Sequence, residues 1–106
     1  NICNWQLSPG EGSDAFRKGY QDKILPALRA FNPDLLLISA GFDAHDRDPL
    51  AQISLQTDDF AWITGELLAV ADECCGGKVV SLLEGGYNLD ALRESVQAHV
   101  RVLMAD

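Results

Sequence analysis

The sequence predicts an α/β fold with a parallel sheet, on three observations. Two apolar runs, Leu35-Leu36-Leu37-Ile38 and Val79-Val80-Ser81-Leu82-Leu83, each end in glycine and then polar or reactive side chains. Both runs are continuous rather than alternating, which suits parallel strands covered on both faces. Segments with helical apolar spacing precede, separate and follow them, giving the order helix, strand, helix, strand, helix.

In chain order, residues 1–7 carry only a weak strand pattern, and Ser8-Pro9-Gly10-Glu11-Gly12 is loop punctuation. Ser13 reads as an N-cap with Asp14 in the first turn, opening a helix whose stripe is Phe16, Tyr20, Ile24, Leu28 and Phe31. Pro26 removes a backbone donor inside that helix and is expected to kink or loosen it. Asn32-Pro33 stops it, and 34–39 is the first strand. Thr57 is the predicted cap of the second helix, with Asp58 and Asp59 placed where the helix dipole favours negative charge. Its buried side is Phe60, Ile63, Leu67, Leu68, Val70 and Ala71, and Gly76-Gly77 ends it. The second strand is 79–83, and a last helix over about 89–104 buries Leu92, Val96, His99, Val100 and Leu103.

With 106 residues and 47% hydrophobic content, the chain is at most one globular domain. Two strands alone cannot make a sheet buried on both faces, so the pattern predicts part of an α/β domain whose other strands lie upstream. The start at Asn1-Ile2-Cys3-Asn4, without Met or a signal-peptide profile, carries the same expectation of a piece of a larger protein. No window reaches the roughly 18 uninterrupted apolar residues of a membrane span. A net charge of −8 argues against direct nucleic-acid binding, which needs a basic stripe. Cys3, Cys74 and Cys75 form no disulfide framework, so reduced thiols and a cytoplasmic location are expected.

Ligands of open α/β sheets bind at the carboxyl ends of strands. Asp43 and Tyr87 both sit there, each beyond a glycine that lets the chain turn. Asp43 could bind a cation, although on spacing alone an ordinary turn capped by its carboxylate is the commoner source of Gly41-Phe42-Asp43. The Tyr87 phenol could donate to a developing oxyanion, and equally could pack its ring and bond its hydroxyl locally. His45 is a ligand by type, but one His and one Asp are fewer than the three protein ligands of a catalytic zinc. His99 reads as structural, and Gly85-Gly86 lacks the spacing of a phosphate loop.

Together, Asn32-Pro33-Asp34, Ser39-Ala40-Gly41-Phe42-Asp43-Ala44-His45, Asp48-Pro49-Leu50 and Leu83-Glu84-Gly85-Gly86-Tyr87-Asn88-Leu89 closely resemble the C-terminal part of the zinc-dependent histone deacetylase family. The similarity is nearest to its class II-like branch, which includes bacterial acetylpolyamine amidohydrolases. It implies an arginase–deacetylase-type three-layer sandwich, with residues 1–106 as the C-terminal piece of one catalytic domain. It also implies a bacterial-type deacetylase that hydrolyses amides with Zn²⁺. By the same resemblance Asp43 matches a zinc-ligating aspartate and Tyr87 the tyrosine that polarises the acetyl carbonyl. Gly85 and Gly86 match the glycines beside the acyl-lysine channel. Leu50 stands where some polyamine-selective members carry an acid, which leans toward acyl-lysine over a cationic polyamine. The family's Asp-x-His pair and His-His base have no match in this sequence, so the chain alone is expected to be inactive. Alternatives are a non-catalytic remnant and an acidic α/β binding module. Expected partners are an acetylated lysine or polyamine-like small substrate, and a homo-oligomer is compatible with the sequence.

Overall fold

The structure, a computed structural model, describes residues 1–105. Its elements are α1 (Ser13–Gly19), a π-helical turn (Tyr20–Ile24), α2 (Leu25–Phe31), β1 (Leu36–Ala40), α3 (Thr57–Cys75), β2 (Val79–Leu83) and α4 (Leu89–Met104). The predicted order therefore stands, with β1 shifted to start two residues later. No strand forms over residues 1–7. There the Trp5 indole instead donates to the Ala15 carbonyl at 3.1 Å.

Pro26 loosens the first helix as predicted, and the form of the loosening explains a misplaced stripe. The Leu25 N–H reaches back to the Tyr20 carbonyl, closing a wide turn immediately before the proline. One extra residue in that turn moves the buried phase from Ile24 to Leu25, which is only 2% exposed, and leaves Phe31 on the surface. Asn32 then ends α2 in the left-handed conformation, its N–H bonding to Leu28 and Arg29 carbonyls.

Two predicted caps shift by one residue. Gly12, not Ser13, precedes α1, and Gln56, not Thr57, caps α3 in a reciprocal capping box with Asp59. Ser13 and Asp59 meet instead. The buried Asp59 carboxylate accepts from the Ser13 hydroxyl (2.5 Å), Arg17 Nε (2.8 Å) and the Gln56 N–H (2.9 Å), which joins α1 to the start of α3. Burial pulls this carboxyl upward, but those donors outweigh it and hold it below the ordinary range. At the far end, α3 stops on left-handed Gly76, with the Gly77 N–H returning to the Ala71 carbonyl.

The two strands pair in parallel, with Leu36 opposite Val79 and Ala40 opposite Leu83. Partners share a face, so Leu36, Ile38 and Ala40 lie beside Val79 and Ser81 under α3 and α4. The core runs through that layer: Leu36, Ala71 and Cys75 at one end, Ala40, Phe42, Leu55 and Phe60 at the other. Each large aliphatic buried here contributes about 1.5–3 kcal/mol over its exposed state. The opposite face is bare: Leu37 is 63%, Val80 45% and Leu82 57% exposed. Continuous apolar strands are thus covered on one face only within these residues. In α4 the deepest residues are the small Ala91 and Ser95 with His99, which lets the helix lie close to α3, while the predicted core residue Val100 is 40% exposed.

A candidate active site at the strand ends

Parallel pairing brings the carboxyl ends of β1 and β2 side by side, and the ladder continues past both. The Glu84 N–H donates to the Ala40 carbonyl (3.0 Å) and the Phe42 N–H to the Gly85 carbonyl (2.8 Å). Phe42 is buried edge-on against Phe60, which anchors the turn and turns Asp43 outward into a half-buried position. The Asp43 carboxylate lies over Gly85: a Cβ there would sit 3.2 Å from both its Cγ and its Oδ1. Gly86 has φ +141°, and a Cβ on it would come within 2.7 Å of Leu92 Cδ1. Both glycines therefore have a local reason besides the substrate channel that the resemblance assigns them.

Tyr87 stands between two anchors. Its N–H donates to Asp48 Oδ2 at 2.7 Å, and one residue on, the Asn88 side chain accepts from the Ala91 N–H at 2.9 Å, capping α4. The Tyr87 residue itself is 57% exposed. Leu50, 64% exposed, donates its N–H to the other Asp48 oxygen at 2.9 Å. All five predicted site residues, Asp43, Leu50, Gly85, Gly86 and Tyr87, are thus gathered at one end of the sheet.

Two residues of the loop after β1 turn inward. Asp48 is buried. Burial raises its carboxyl, yet the N–H groups of Leu50, Tyr87, Asn88 and Ala51 outweigh that and hold it below the ordinary carboxylate range. His45 is 2% exposed and stacks on Phe60. Its Nδ1 lies 3.2 Å from the Arg47 N–H and 3.0 Å from Asp46 Oδ1, and its Nε2 lies 3.2 Å from Thr57 Oγ1. Asp-Pro is a sequence signal for an Asx turn that could have pointed to Asp48; nothing in composition distinguishes a buried loop His from an exposed one.

His99 lies beneath the site, edge-on to Phe42. Thr64 spends its hydroxyl proton on the Phe60 carbonyl (2.6 Å), so it accepts from His99 Nδ1–H (2.7 Å), while the Ser81 hydroxyl donates to Nε2 (2.8 Å). Burial holds this imidazole below its ordinary pKa, in keeping with a neutral ring whose nitrogens are both satisfied.

The donors in this chain do not by themselves make a zinc site. Asp43 is one carboxylate, both histidines are engaged in the core, and no group of three or more His, Cys, Asp or Glu among the described residues could hold a metal. A zinc at this end of the sheet would need ligands beyond Asp43 from outside these residues.

The sequence profile of the histone deacetylase domain matches residues 1–103. Type-2 histone deacetylase 1 of Dictyostelium discoideum is 43% identical over 106 residues, all of this chain and 7% of that protein. A histone deacetylase-like amidohydrolase of Pseudomonas aeruginosa is 41% identical over 85 residues, 80% of this chain and 22% of the relative. Among solved structures, the HD domain of HDA15 is similar at a TM-score of 0.82 and 38% identity, over 92% of this chain and 26% of that one. The chain thus spans less than a quarter of either relative's length. A parallel layer that carries Gly-Phe-Asp on one strand end and Glu-Gly-Gly-Tyr on the next, and that the family profile matches nearly end to end, belongs to the histone deacetylase family and is part of its arginase–deacetylase α/β fold.

Proposed function

We propose that the protein containing this chain is a zinc-dependent deacetylase that removes acetyl groups from acyl-lysine or related acetylated amines. The observation that carries the reading is the approach of two turns: Asp43 over Gly85, with Tyr87 two residues further along the same segment. Asp43 is the one zinc ligand this chain supplies, its carboxylate accepting no hydrogen bond from the described residues. Bound zinc would supply Lewis-acid polarisation of an acyl carbonyl and a more acidic water. Tyr87 donates its phenolic proton to the oxygen that gains charge, a role worth on the order of 10²–10³ in rate for a single donor. Gly85 and Gly86 keep side chains out of the substrate channel, and Leu50 gives the rim an apolar contact.

Substrate choice leans toward acyl-lysine. Leu50 offers no charge to a polyamine, and Asp48, the nearest acid in sequence, is turned inward and spent on backbone donors. Asp46 stays 40% exposed but accepts from Gln56 Nε2 at 2.9 Å. The free thiols of Cys3, Cys74 and Cys75 suit a reducing, cytoplasmic setting.

Zinc content and acetyl-lysine peptide hydrolysis of the intact protein test the reading. Asp43→Ala should lose both zinc and activity, Tyr87→Phe should lose activity with zinc retained, and the 106-residue chain alone should hydrolyse nothing. Full activity in both variants would overturn the assignment.

A further inference from the structure

Asp48 makes more connections than a rim residue needs. Its own N–H donates to the His45 carbonyl (3.0 Å), and the His45 N–H to the Phe42 carbonyl (3.3 Å), so the loop is hydrogen-bonded along its length from the Asp43 turn to Asp48. The stacked, buried His45 ring pins the middle of that loop to α3. Ties then cross from the segment after β1 to the segment after β2. They include the Phe42 N–H on the Gly85 carbonyl (2.8 Å) and the Tyr87 N–H on Asp48 Oδ2 (2.7 Å), with the Asn88 N–H also turned toward the Asp48 carboxylate. The second Asp48 oxygen meanwhile holds the Leu50 N–H at 2.9 Å.

We infer that Asp48 is a positioning residue: its two carboxylate oxygens hold the Tyr87 backbone and the Leu50 rim on one frame, so that the Tyr87 phenol keeps a fixed relation to the Asp43 turn. The inference rests on the reading of Tyr87 as the oxyanion donor. Tyr87 is 57% exposed, so the hold on its backbone sets the point from which its side chain reaches toward the site. A carboxylate is required because both oxygens must accept at once; an amide would turn its NH₂ toward one of the two N–H groups. Hydrogen-bond donors work only where charge develops, and a displacement of about 1 Å costs roughly 100-fold in rate.

Steady-state kinetics of the intact protein on an acetyl-lysine peptide, combined with a double-mutant cycle, test this. Asp48→Asn should lower kcat about 10- to 100-fold with KM changed less than about threefold, the mark of a contact made mainly in the transition state. In a Tyr87→Phe background the same substitution should cost less than about threefold, because the group being positioned is gone. Asp48→Ser retains a short acceptor for the Leu50 N–H, cannot reach Tyr87, and should lose kcat as Asp48→Asn does. Amide hydrogen exchange at Tyr87 should quicken in both variants. An equal loss in the Tyr87 and Tyr87→Phe backgrounds, an unchanged kcat in Asp48→Asn, or unchanged Tyr87 exchange would each overturn the inference. A Tyr87→Phe enzyme with full activity would remove the donor reading itself, a distinct result from a damaged Tyr87→Phe enzyme in which Asp48→Asn adds a full second loss.

Discussion

Asp43 and Asp48 are the same side chain on one short loop, and the fold treats them in opposite ways. Asp43 is half-buried at the strand end, over a glycine, and accepts no hydrogen bond from the described residues. Asp48 is buried, with both oxygens committed to the N–H groups of Leu50 and Tyr87. A carboxylate with its lone pairs free has them available for a cation; one with them spent is part of the frame. On the roles proposed above, the difference separates a group free to meet a cation from a group that holds its neighbours in place.

Substitutions at the two positions should therefore fail differently. On the proposed deacetylase reading, Asp43→Asn should bring the largest loss, about 10³-fold or more in the intact protein's acetyl-lysine hydrolysis, since it would remove a charged metal donor. Its melting temperature without metal should stay close to the parent's, as expected for a site with no structural hydrogen bonds to lose. Asp48→Ala should cost folding stability directly, about 1–3 kcal/mol in denaturant titration, because the part-buried N–H groups of Leu50 and Tyr87, among others, lose their acceptor. A stability loss at Asp43 equal to that at Asp48 would erase the distinction.

That contrast was only half legible in the sequence. Asp43 and Tyr87 stand out because strand-end turns are local signals, and the resemblance turned those signals into roles. Helix stops at Asn32 and Gly76 were legible for the same reason: each needs a left-handed residue at a known place. The inward turn of Asp48 was not, because its long-range partner is a backbone N–H 39 residues away, and no side-chain pattern reports which backbone groups will meet. His45 was missed because a loop histidine next to acids has the same composition whether it faces water or Phe60. Pro26 foretold a defect in the first helix. The wider turn that absorbed it, and the shift of burial from Ile24 to Leu25, depend on backbone hydrogen bonds that residue identity leaves open.

His99 offers a milder test of what lies under the two turns. Burial holds its pKa below the ordinary value, so as pH falls the unfolded chain takes up a proton that the folded chain resists. Stability should be full above about pH 6.5 and decline below it, by at most about 1.4 kcal/mol per pH unit for this one group. His99→Gln should remove that slope. Asp48 and Asp59 would still add their own loss below about pH 4, because burial raises each carboxyl but its donors outweigh that and hold it low. An unchanged slope in His99→Gln would show that burial does not hold this imidazole below its ordinary pKa.

The smallest effect belongs to the face of the sheet that turns away from these groups. Leu37→Ser, on the bare face, should change the stability of the 106-residue chain by no more than about 0.5 kcal/mol, whereas Leu36→Ser, one residue away and 8% exposed, should cost several times that. Urea titrations of the two variants at several chain concentrations read the comparison. If Leu37→Ser proves as costly as Leu36→Ser and the cost fades on dilution, a second copy covers Leu37, Val80 and Leu82. If the cost is equal and independent of concentration, the exposed apolar face is covered by the chain itself, and the division of the sheet into a packed and a bare side is wrong. A near-zero cost would leave the turns at Asp43 and Tyr87 supported from one side only within this chain, by Phe42, Phe60 and His99 beneath them.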